Sequence, residues 1–212
     1  MTRRSLSESA PILAWLAPLW LLTILFLPPA SLLLALAILF TLFFFRDPPR
    51  TPPPDESLAV APADGLIVSV EECDGDGTIP GPVRRITIFL SIFDVHINRS
   101  PISGQIERSD AHTGLFLDAR KPQSSEFNAR RTWLIRNTQH CAVVRQITGA
   151  IARRICAWKQ PGDFVQRADR IGMIRFGSRT ELDLPLDYQI LVQPGQRCKG
   201  GETPVAKLPT PP

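Results

Sequence analysis

The chain has 212 residues, of which 44% are hydrophobic and 21% charged, and its formal net charge is +4. This length accommodates one compact domain with an appendage, and the composition lies in the globular range. The arginines are scattered and lack interleaved aromatic residues, so we expect no nucleic-acid partner. Apolar residues dominate the first fifth of the sequence, which indicates a membrane-associated protein and makes anionic lipid the simpler partner for the positive charge.

The first predicted element is an apolar helical hairpin. Residues 10–45 contain no charged side chain. A single helix of this length would measure roughly 54 Å, against a hydrocarbon core of about 30 Å. Pro28 and Pro29 lie near the middle, where prolines break a helix. We therefore predict two membrane-associated arms, Ala10–Leu27 and Ala30–Phe45.

The charges around this hairpin predict its orientation. Arg3 and Arg4 precede the first arm, and Arg46 and Arg50 follow the second. Positive residues tend to remain in the cytoplasm, so both ends, and the domain that follows, are predicted on the cytoplasmic side of the cell membrane. A signal peptide or single signal anchor that exports the domain is the alternative. No small-residue cleavage site follows the first arm, which favours the hairpin.

The rest of the chain divides into a linker and a domain. The anchoring segment is assigned to residues 1–45, and the linker to 46–57, with five prolines between Asp47 and Glu56. Such a segment is expected to be a stiff, extended spacer that lifts the domain from the membrane. Residues 58–212 are assigned to a β-rich domain.

The domain is predicted to be mainly β. Short runs rich in Val and Ile alternate with turn residues, and no stretch shows helix caps with a sustained 3.6-residue period. The tight turns resemble those of barrel-sandwich hybrids, which is a likeness at the level of the fold only. The segment 110–131 is too irregular to assign. The predicted strands are Leu58–Ala61, Leu66–Val70, Ile86–Phe93, Trp133–Ile135, Ala142–Ile147, Ile171–Phe176 and Gln189–Val192.

The four cysteines, Cys73, Cys141, Cys156 and Cys198, lie far apart. They form no C-x-x-C pair and have no histidine at zinc-ligand spacing, so no metal site is predicted. We prefer buried free thiols, with disulfides as the alternative if the domain is exported.

Two short patterns are candidates for chemistry. Asp94 and His96 are two residues apart, so on a strand they would share a face and form an acid/base pair. A structural histidine bonded to the aspartate is the alternative. Gly177-Ser178 follows a predicted strand, but the dipeptide alone carries little information. It lacks the G-x-S-x-G pattern of serine hydrolases, which disfavours an esterase.

Taken together and in order, five stretches resemble phosphatidylserine decarboxylase proenzymes of the short archaeal and bacterial type. They span nearly the whole β domain. They are Phe45–Arg50 (FRDPPR), Pro62–Gly65 (PADG), Phe89–Pro101 (FLSIFDVHINRSP), Arg170–Arg179 (RIGMIRFGSR) and Gly195–Thr203 (GQRCKGGET).

The resemblance implies a self-cleaving lyase. The Ser178 hydroxyl would attack the Gly177 carbonyl and split the chain into a β chain, 1–177, and an α chain, 178–212. Residue 178 would become a covalent pyruvoyl cofactor that forms a Schiff base with the amine of phosphatidylserine. Loss of CO2 would then give phosphatidylethanolamine, without a metal or an added cofactor. Acyl-chain preference and homo-oligomerisation stay open.

The resemblance also suggests roles for three further residues. Asp64 matches the family's carboxylate in the charge relay for cleavage. His96 matches the first histidine of a D-x-H-x-x-H pattern, the candidate proton donor in decarboxylation. Arg99 occupies the position of the second histidine, the presumed cleavage base, so that base is unassigned. His96 could serve both steps, or Asp64 could act without it, and Arg99 could bind substrate phosphate or be structural.

Two other functions stay open at this stage. One is a non-enzymatic, membrane-tethered β module that binds partners, and the other is a pyruvoyl decarboxylase of a soluble amino acid. The chain departs from the family pattern at 126–130 (EFNAR), to which we assign no role. It departs again at Cys198, where an aliphatic residue would be usual.

Overall fold

The computed structural model describes residues 2–150, 154–175 and 178–209. The chain forms two compact units, Met1–Pro49 and Arg50–Pro212. The first unit is helical and the second is mainly β. The predicted fold class, a mainly β domain that follows an N-terminal apolar helical hairpin, is confirmed.

The first unit is a pair of helices, α1 (Arg3–Phe26) and α2 (Pro28–Phe44). Leu27 separates them with φ −146° and ψ 70°. The proline pair begins the second helix, where a missing N–H leaves no hydrogen bond unmade. Thr2 Oγ1 donates to Asp47 Oδ2 over 2.5 Å. The two ends of the unit therefore meet, as a hairpin requires.

Helix α1 starts at Arg3, earlier than the predicted Ala10, because the Thr2 side chain accepts from Ser5 N and caps it. Among the described residues, the stretch Arg3–Ile24 is long and apolar enough to cross a membrane, and the apolar helix Pro29–Phe44 is shorter. Both helices expose large apolar side chains, which suits a lipid environment.

The second unit consists of short strands and one helical turn, α3 (Ser124–Phe127). In chain order, the strands are β1 (Leu58–Val60), β2 (Gly65–Asp74), β3 (Pro82–Leu90), β4 (Ile97–Arg99), β5 (Gly104–His112), β6 (Arg130–Arg136), β7 (Cys141–Ile147), β8 (Arg154–Ala157), β9 (Phe164–Val165), β10 (Arg170–Arg175), β11 (Ser178–Pro185), β12 (Gln189–Ile190), β13 (Arg197–Cys198) and β14 (Pro204–Lys207).

Within the described ranges the strands pair antiparallel in three sheets. The largest has the order β13-β2-β3-β11-β7-β6-β5-β9, and the smaller two have the orders β4-β10-β8 and β1-β14-β12. One face of the large sheet is lined by fully buried Ile67, Ile88, Leu90 and Trp133, which belong to the main apolar core. Strand β11 lies near the middle of this sheet, so both of its neighbours hold it in place.

Each of the seven predicted strands overlaps an observed one. The strand predicted over Ile171–Phe176 corresponds to β10, and its last residue, Phe176, lies outside the described residues. One boundary is wrong in a way that matters. The strand predicted over Ile86–Phe93 ends at Leu90, and a turn follows it. Strands β4, β5, β8, β9, β11, β13 and β14 were not predicted.

The linker makes firm contacts with the β domain. The buried guanidinium of Arg167 donates to the Pro53 carbonyl over 2.6 Å, to the Leu58 carbonyl over 2.7 Å, and to the Asp55 carbonyl. Residues 50–57 accordingly belong to the second compact unit. The division into 1–45, 46–57 and 58–212 stays a prediction.

The cysteines are free thiols, as we preferred. Cys141, Cys156 and Cys198 are buried, and Cys73 is half-buried. Burial, with a smaller contribution from the nearby Asp64 charge, raises the pKa of Cys198 to about 12. A thiol in this state is inert packing material.

Candidate active site

Ser178 is the first residue of β11 and is fully buried. Its Cα partner on β3 is Leu90. Among the described residues, its Oγ has no hydrogen-bond partner. An unsatisfied buried hydroxyl is unfavourable by about 1–3 kcal/mol, so its presence needs an explanation. Gly177, the other half of the predicted cleavage bond, lies outside the described residues.

The segment between Leu90 and Ile97 lies beside this serine because both of its ends are fixed. At one end, Leu90 pairs with Ser178. At the other end, the His96 carbonyl accepts from Ile174 N over 3.1 Å, and β4 pairs with β10. The segment that carries His96 therefore connects the partner of Ser178, where β11 begins, to the partner strand of β10, whose described end is Arg175.

The predicted pairing of Asp94 with His96 on one strand face is wrong. Asp94 lies in the turn Ser91–Asp94, where its Oδ2 accepts from Ser91 N (2.8 Å) and Ser91 Oγ (2.7 Å). Its Oδ1 pairs with Arg197. The carboxylate therefore closes a turn, a role that strand spacing cannot reveal.

His96 instead bonds to the backbone of Asp94. Its Nδ1 is 2.9 Å from the Asp94 carbonyl oxygen, and the ring is fully buried. A carbonyl only accepts, so Nδ1 carries the proton, and in the neutral ring Nε2 is the basic nitrogen. The backbone carbonyl of Asp94, rather than its carboxylate, thus fixes the tautomer.

Asp64 precedes β2 and is held from two sides. Arg50 Nη2 donates to its Oδ2 over 2.6 Å, and Gly200 N donates to its Oδ1 over 2.8 Å. Arg50 also bonds Glu202 Oε2 at 3.2 Å. Burial raises the pKa of the Asp64 carboxyl above its ordinary value, and the Arg50 guanidinium opposes that rise. Asp64 is thus a largely desolvated carboxylate whose charged form is stabilised by both Arg50 and the Gly200 N–H.

The Gly200-Gly201 pair allows this close approach. A Cβ on Gly200 would lie 3.0 Å from the Ala63 carbonyl carbon. Gly201 has φ +81°, and a Cβ there would lie 2.9 Å from Arg99 Cδ. Glycine is needed at both positions because larger residues would displace the chain from Asp64 and Arg99.

Arg99 is buried, and its Nη1 donates to the Ala168 carbonyl over 3.0 Å. Its backbone N donates to the Pro62 carbonyl over 2.8 Å, which ties the end of β4 to the segment that carries Asp64. The structure therefore brings Arg99 and Asp64 onto adjoining segments. Its role in substrate binding stays a prediction.

A buried relay of polar side chains, which the sequence analysis missed, holds these segments together. Trp133 Nε1 donates to Gln146 Oε1 (2.7 Å), Gln146 Nε2 to Asn98 Oδ1 (2.7 Å), and Asn98 Nδ2 to Thr180 Oγ1 (2.9 Å). All four residues are fully buried. The relay fixes Asn98, between His96 and Arg99, against the strand that begins at Ser178. No short-range pattern could have revealed it, because its members are far apart in sequence.

The opposite face of β11 carries a charged cluster. Arg85 binds Asp183 through two bonds of 2.7 Å. Arg145 Nη2 lies 3.4 Å from Glu181 Oε2, and Ser125 Oγ donates to Glu181 Oε1 over 2.5 Å. Both carboxylates are almost completely buried.

The departure from the family pattern at 126–130 also has a structural explanation. Asn128 is fully buried, and its Nδ2 donates to the carbonyls of Leu117 and Thr148, each over 2.8 Å. Its Oδ1 accepts from Leu117 N over 2.8 Å. The residue therefore anchors the loop between β5 and β6.

The fold and site together are those of a mainly β domain that follows an apolar helical hairpin, with a buried serine at the start of a central strand whose hydroxyl bonds to none of the described residues. Comparisons with known proteins identify the family. Residues 37–206 match the family described as phosphatidylserine decarboxylase.

Curated relatives agree. A phosphatidylserine decarboxylase proenzyme of Carboxydothermus hydrogenoformans is 46% identical over 179 residues, which cover 84% of each chain. One from Gluconacetobacter diazotrophicus is 47% identical over 174 residues, covering 80% of this chain and 77% of the relative. One from Desulfotalea psychrophila is 40% identical and covers 82% and 81%. The chain belongs to the phosphatidylserine decarboxylase family, whose members are carboxy-lyases.

Proposed function

We propose that this protein converts phosphatidylserine to phosphatidylethanolamine and CO2 in phospholipid biosynthesis, after it has cleaved itself between Gly177 and Ser178. Membership of the family supports the reaction class. One structural observation supports the assignment of the reactive residue: the buried hydroxyl of Ser178, which has no hydrogen-bond partner within the described ranges.

The cleavage step requires a hydroxyl next to the bond that breaks. Ser178 Oγ attacks the Gly177 carbonyl carbon, and the acyl group moves from nitrogen to oxygen, which leaves an ester and a free amine. Removal of the Ser178 α-proton then expels the Gly177 carboxylate and leaves a dehydroalanine at residue 178. Hydrolysis releases ammonia and leaves a ketone, so one water is consumed and the atoms balance.

The pyruvoyl group fits this position on structural grounds. Residue 178 is buried, which shields a reactive carbonyl from bulk water, and its Oγ, which cleavage removes, makes no bond to the described residues that the remaining methyl group would lose. When formed, the group supplies an electron sink for decarboxylation of an amine substrate. The α chain that carries this group begins with strand β11, so the pairing of β11 with β3 and β7 would keep the α chain bound after cleavage.

Asp64 and His96 are proposed as the catalytic residues beside Ser178. His96 has its Nδ1 proton fixed by the Asp94 carbonyl, so Nε2 is the basic nitrogen of the neutral ring and is the atom proposed to accept or return a proton. Asp64 provides the carboxylate of the cleavage relay and is kept charged by Arg50. Arg99 replaces the second histidine and cannot act as a base near neutral pH, because an arginine stays protonated. We therefore place the cleavage base at His96, with Asp64 in support.

The location is proposed to be the cell membrane, with the β domain on the cytoplasmic side. The apolar helix over Arg3–Ile24 supports anchoring. The arginines at both ends of the hairpin support the side. Protease treatment of right-side-out and inside-out vesicles tests this, and digestion of the domain from the outside would contradict it.

The experiment that tests the function is CO2 release by the purified full chain from phosphatidylserine vesicles and from free serine. We expect release from the lipid and none from serine. The Ser178→Ala variant should release none from either, and Ser69→Ala, which changes a serine on the exposed side of β2, should behave as wild type. Release from serine alone would indicate a decarboxylase of a soluble amino acid, and no release from either would favour a binding module.

A further inference from the structure

An exposed apolar turn lies directly beside the reactive serine. Strand β3 ends at Leu90, the partner of Ser178, and the turn Ser91–Asp94 follows at once. Within this turn, 64% of Phe93 and 36% of Ile92 are exposed. A phenyl ring left in water is unfavourable, so a surface that displays one next to an active site suggests a contact made during function.

The turn is rigid, so its apolar residues are held outward. Asp94 N donates to the Ser91 carbonyl over 3.0 Å. The Asp94 carboxylate accepts from Ser91 N and Ser91 Oγ, and it pairs with Arg197 on the neighbouring β13. These bonds use the carboxylate fully and hold Phe93 in place at the tip.

An exposed arginine also lies on the rim of the turn. The Arg197 side chain that pairs with Asp94 is 64% exposed. Aromatic and aliphatic side chains beside an exposed arginine match the boundary between acyl chains and headgroups in an anionic bilayer. A protein partner of the same chemistry would not explain why the turn adjoins the serine proposed to react with a lipid headgroup.

We infer that the turn Ser91–Asp94, with Arg197, docks into the headgroup region of an anionic bilayer and brings the lipid amine to residue 178. This inference rests on the proposed function and adds the surface through which the substrate enters. The hairpin keeps the enzyme at the membrane, and the turn orients the buried site towards it.

The chain offers a matched control in Phe164, which is also 64% exposed. It lies on β9, at the edge of the large sheet and four strands from β11 in the sheet order. Because the two rings are equally exposed, they should not differ in non-specific hydrophobic binding to lipid. Only Phe93 adjoins the serine.

The test compares Phe93→Ser with Phe164→Ser in the full chain. Each is assayed for self-cleavage, for decarboxylation of phosphatidylserine in vesicles, and for decarboxylation of a short-chain phosphatidylserine dispersed as monomers. We expect Phe93→Ser to cleave itself normally, to keep its rate on monomers, and to lose about tenfold on vesicles, the size expected for loss of one buried phenyl ring. Phe164→Ser should match wild type in all three assays.

Equal vesicle rates for the two variants would overturn the inference, and so would an equal loss by Phe93→Ser on both substrates. If wild type decarboxylates neither substrate, the proposed function fails instead. A second measurement does not depend on activity: brominated lipids should quench the added fluorescence of the Phe93→Trp variant more than that of the Phe164→Trp variant. Equal quenching at the two positions would also overturn the inference.

Discussion

The polar side chains on the two faces of strand β11 differ in whether they have bonding partners. On one face, Glu181 and Asp183 are buried but ion-paired with Arg85 and Arg145. On the other, Thr180 accepts from Asn98, while the Ser178 hydroxyl lacks a partner in the described part of the chain. Alternation along the strand separates a face that is built for stability from a face that leaves one nucleophile uncommitted.

The largest effect on stability is expected from breaking the charged face. Asp183→Asn removes the charged partner of two 2.7 Å bonds from Arg85 and leaves that guanidinium, whose side chain is 14% exposed, with Glu181 at 3.7 Å as its neighbouring carboxylate. Removal of one member of a buried ion pair destabilises by about 3–5 kcal/mol. Urea unfolding checks this value, and the folded fraction should still cleave itself, because the change lies on the face away from the Ser178 side chain.

The matched control is Glu107→Gln, which breaks an ion pair with Arg136 that is about 40% exposed on both sides. A surface pair contributes less than about 1 kcal/mol. If the two variants unfold at the same urea concentration, burial does not determine the strength of the charged face, and the comparison of the two faces fails.

On the other face, Thr180→Val is expected to cause a smaller loss of stability. This change keeps the side-chain shape and leaves the buried Asn98 Nδ2 without its 2.9 Å acceptor, at about 1–3 kcal/mol. Thr132→Val is the control, since the Thr132 hydroxyl is buried and makes no hydrogen bond to any described residue. Thermal unfolding should lower the Tm of the first variant and leave that of the second unchanged or raised. If Thr132→Val lowered the Tm more than Thr180→Val, the hydrogen-bond relay through Asn98 would not stabilise this face.

The smallest effect is expected at Asp64, a half-buried carboxylate whose charge Arg50 and the Gly200 N–H stabilise. Burial raises its pKa and Arg50 lowers it, so Arg50→Met should raise the pKa further. Since the proposed cleavage step needs the charged Asp64 carboxylate, the acidic limb of the self-cleavage pH profile should move to higher pH. Cleavage time courses across pH measure this shift.

Arg50→Lys is the control for this prediction, because it keeps the positive charge and should move the limb less. A uniform loss of cleavage rate at every pH, with the limb unmoved, would show that Arg50 has only a structural role.

Much of the fold could be predicted from local sequence, but β11 could not. The proline pair at 28–29 predicted the hairpin, and runs of Val and Ile predicted the strands of the core. Strand β11 has the sequence SRTELDLP, whose charges are typical of a solvated loop. Its charges are buried only because Arg85 and Arg145 come from β3 and β7, which local patterns do not show.

The sequence identified the candidate site residues, but it did not reveal the contacts that position them. The family motifs named Ser178, Asp64 and His96 as candidates, whereas the turn at Ser91–Asp94 removed Asp94 from the expected pair with His96. Arg50 and the Asn98 relay depend on contacts between distant segments. Such contacts exist only after the sheets have formed.

The most direct test of the central claim is the intact mass of the full chain purified from its membrane. Two polypeptides divided between residues 177 and 178, the smaller with an N-terminus blocked by a ketone, are the expected result, with Ser178→Ala remaining whole. A single 23.5 kDa chain that retains an ordinary serine at 178 would contradict the account.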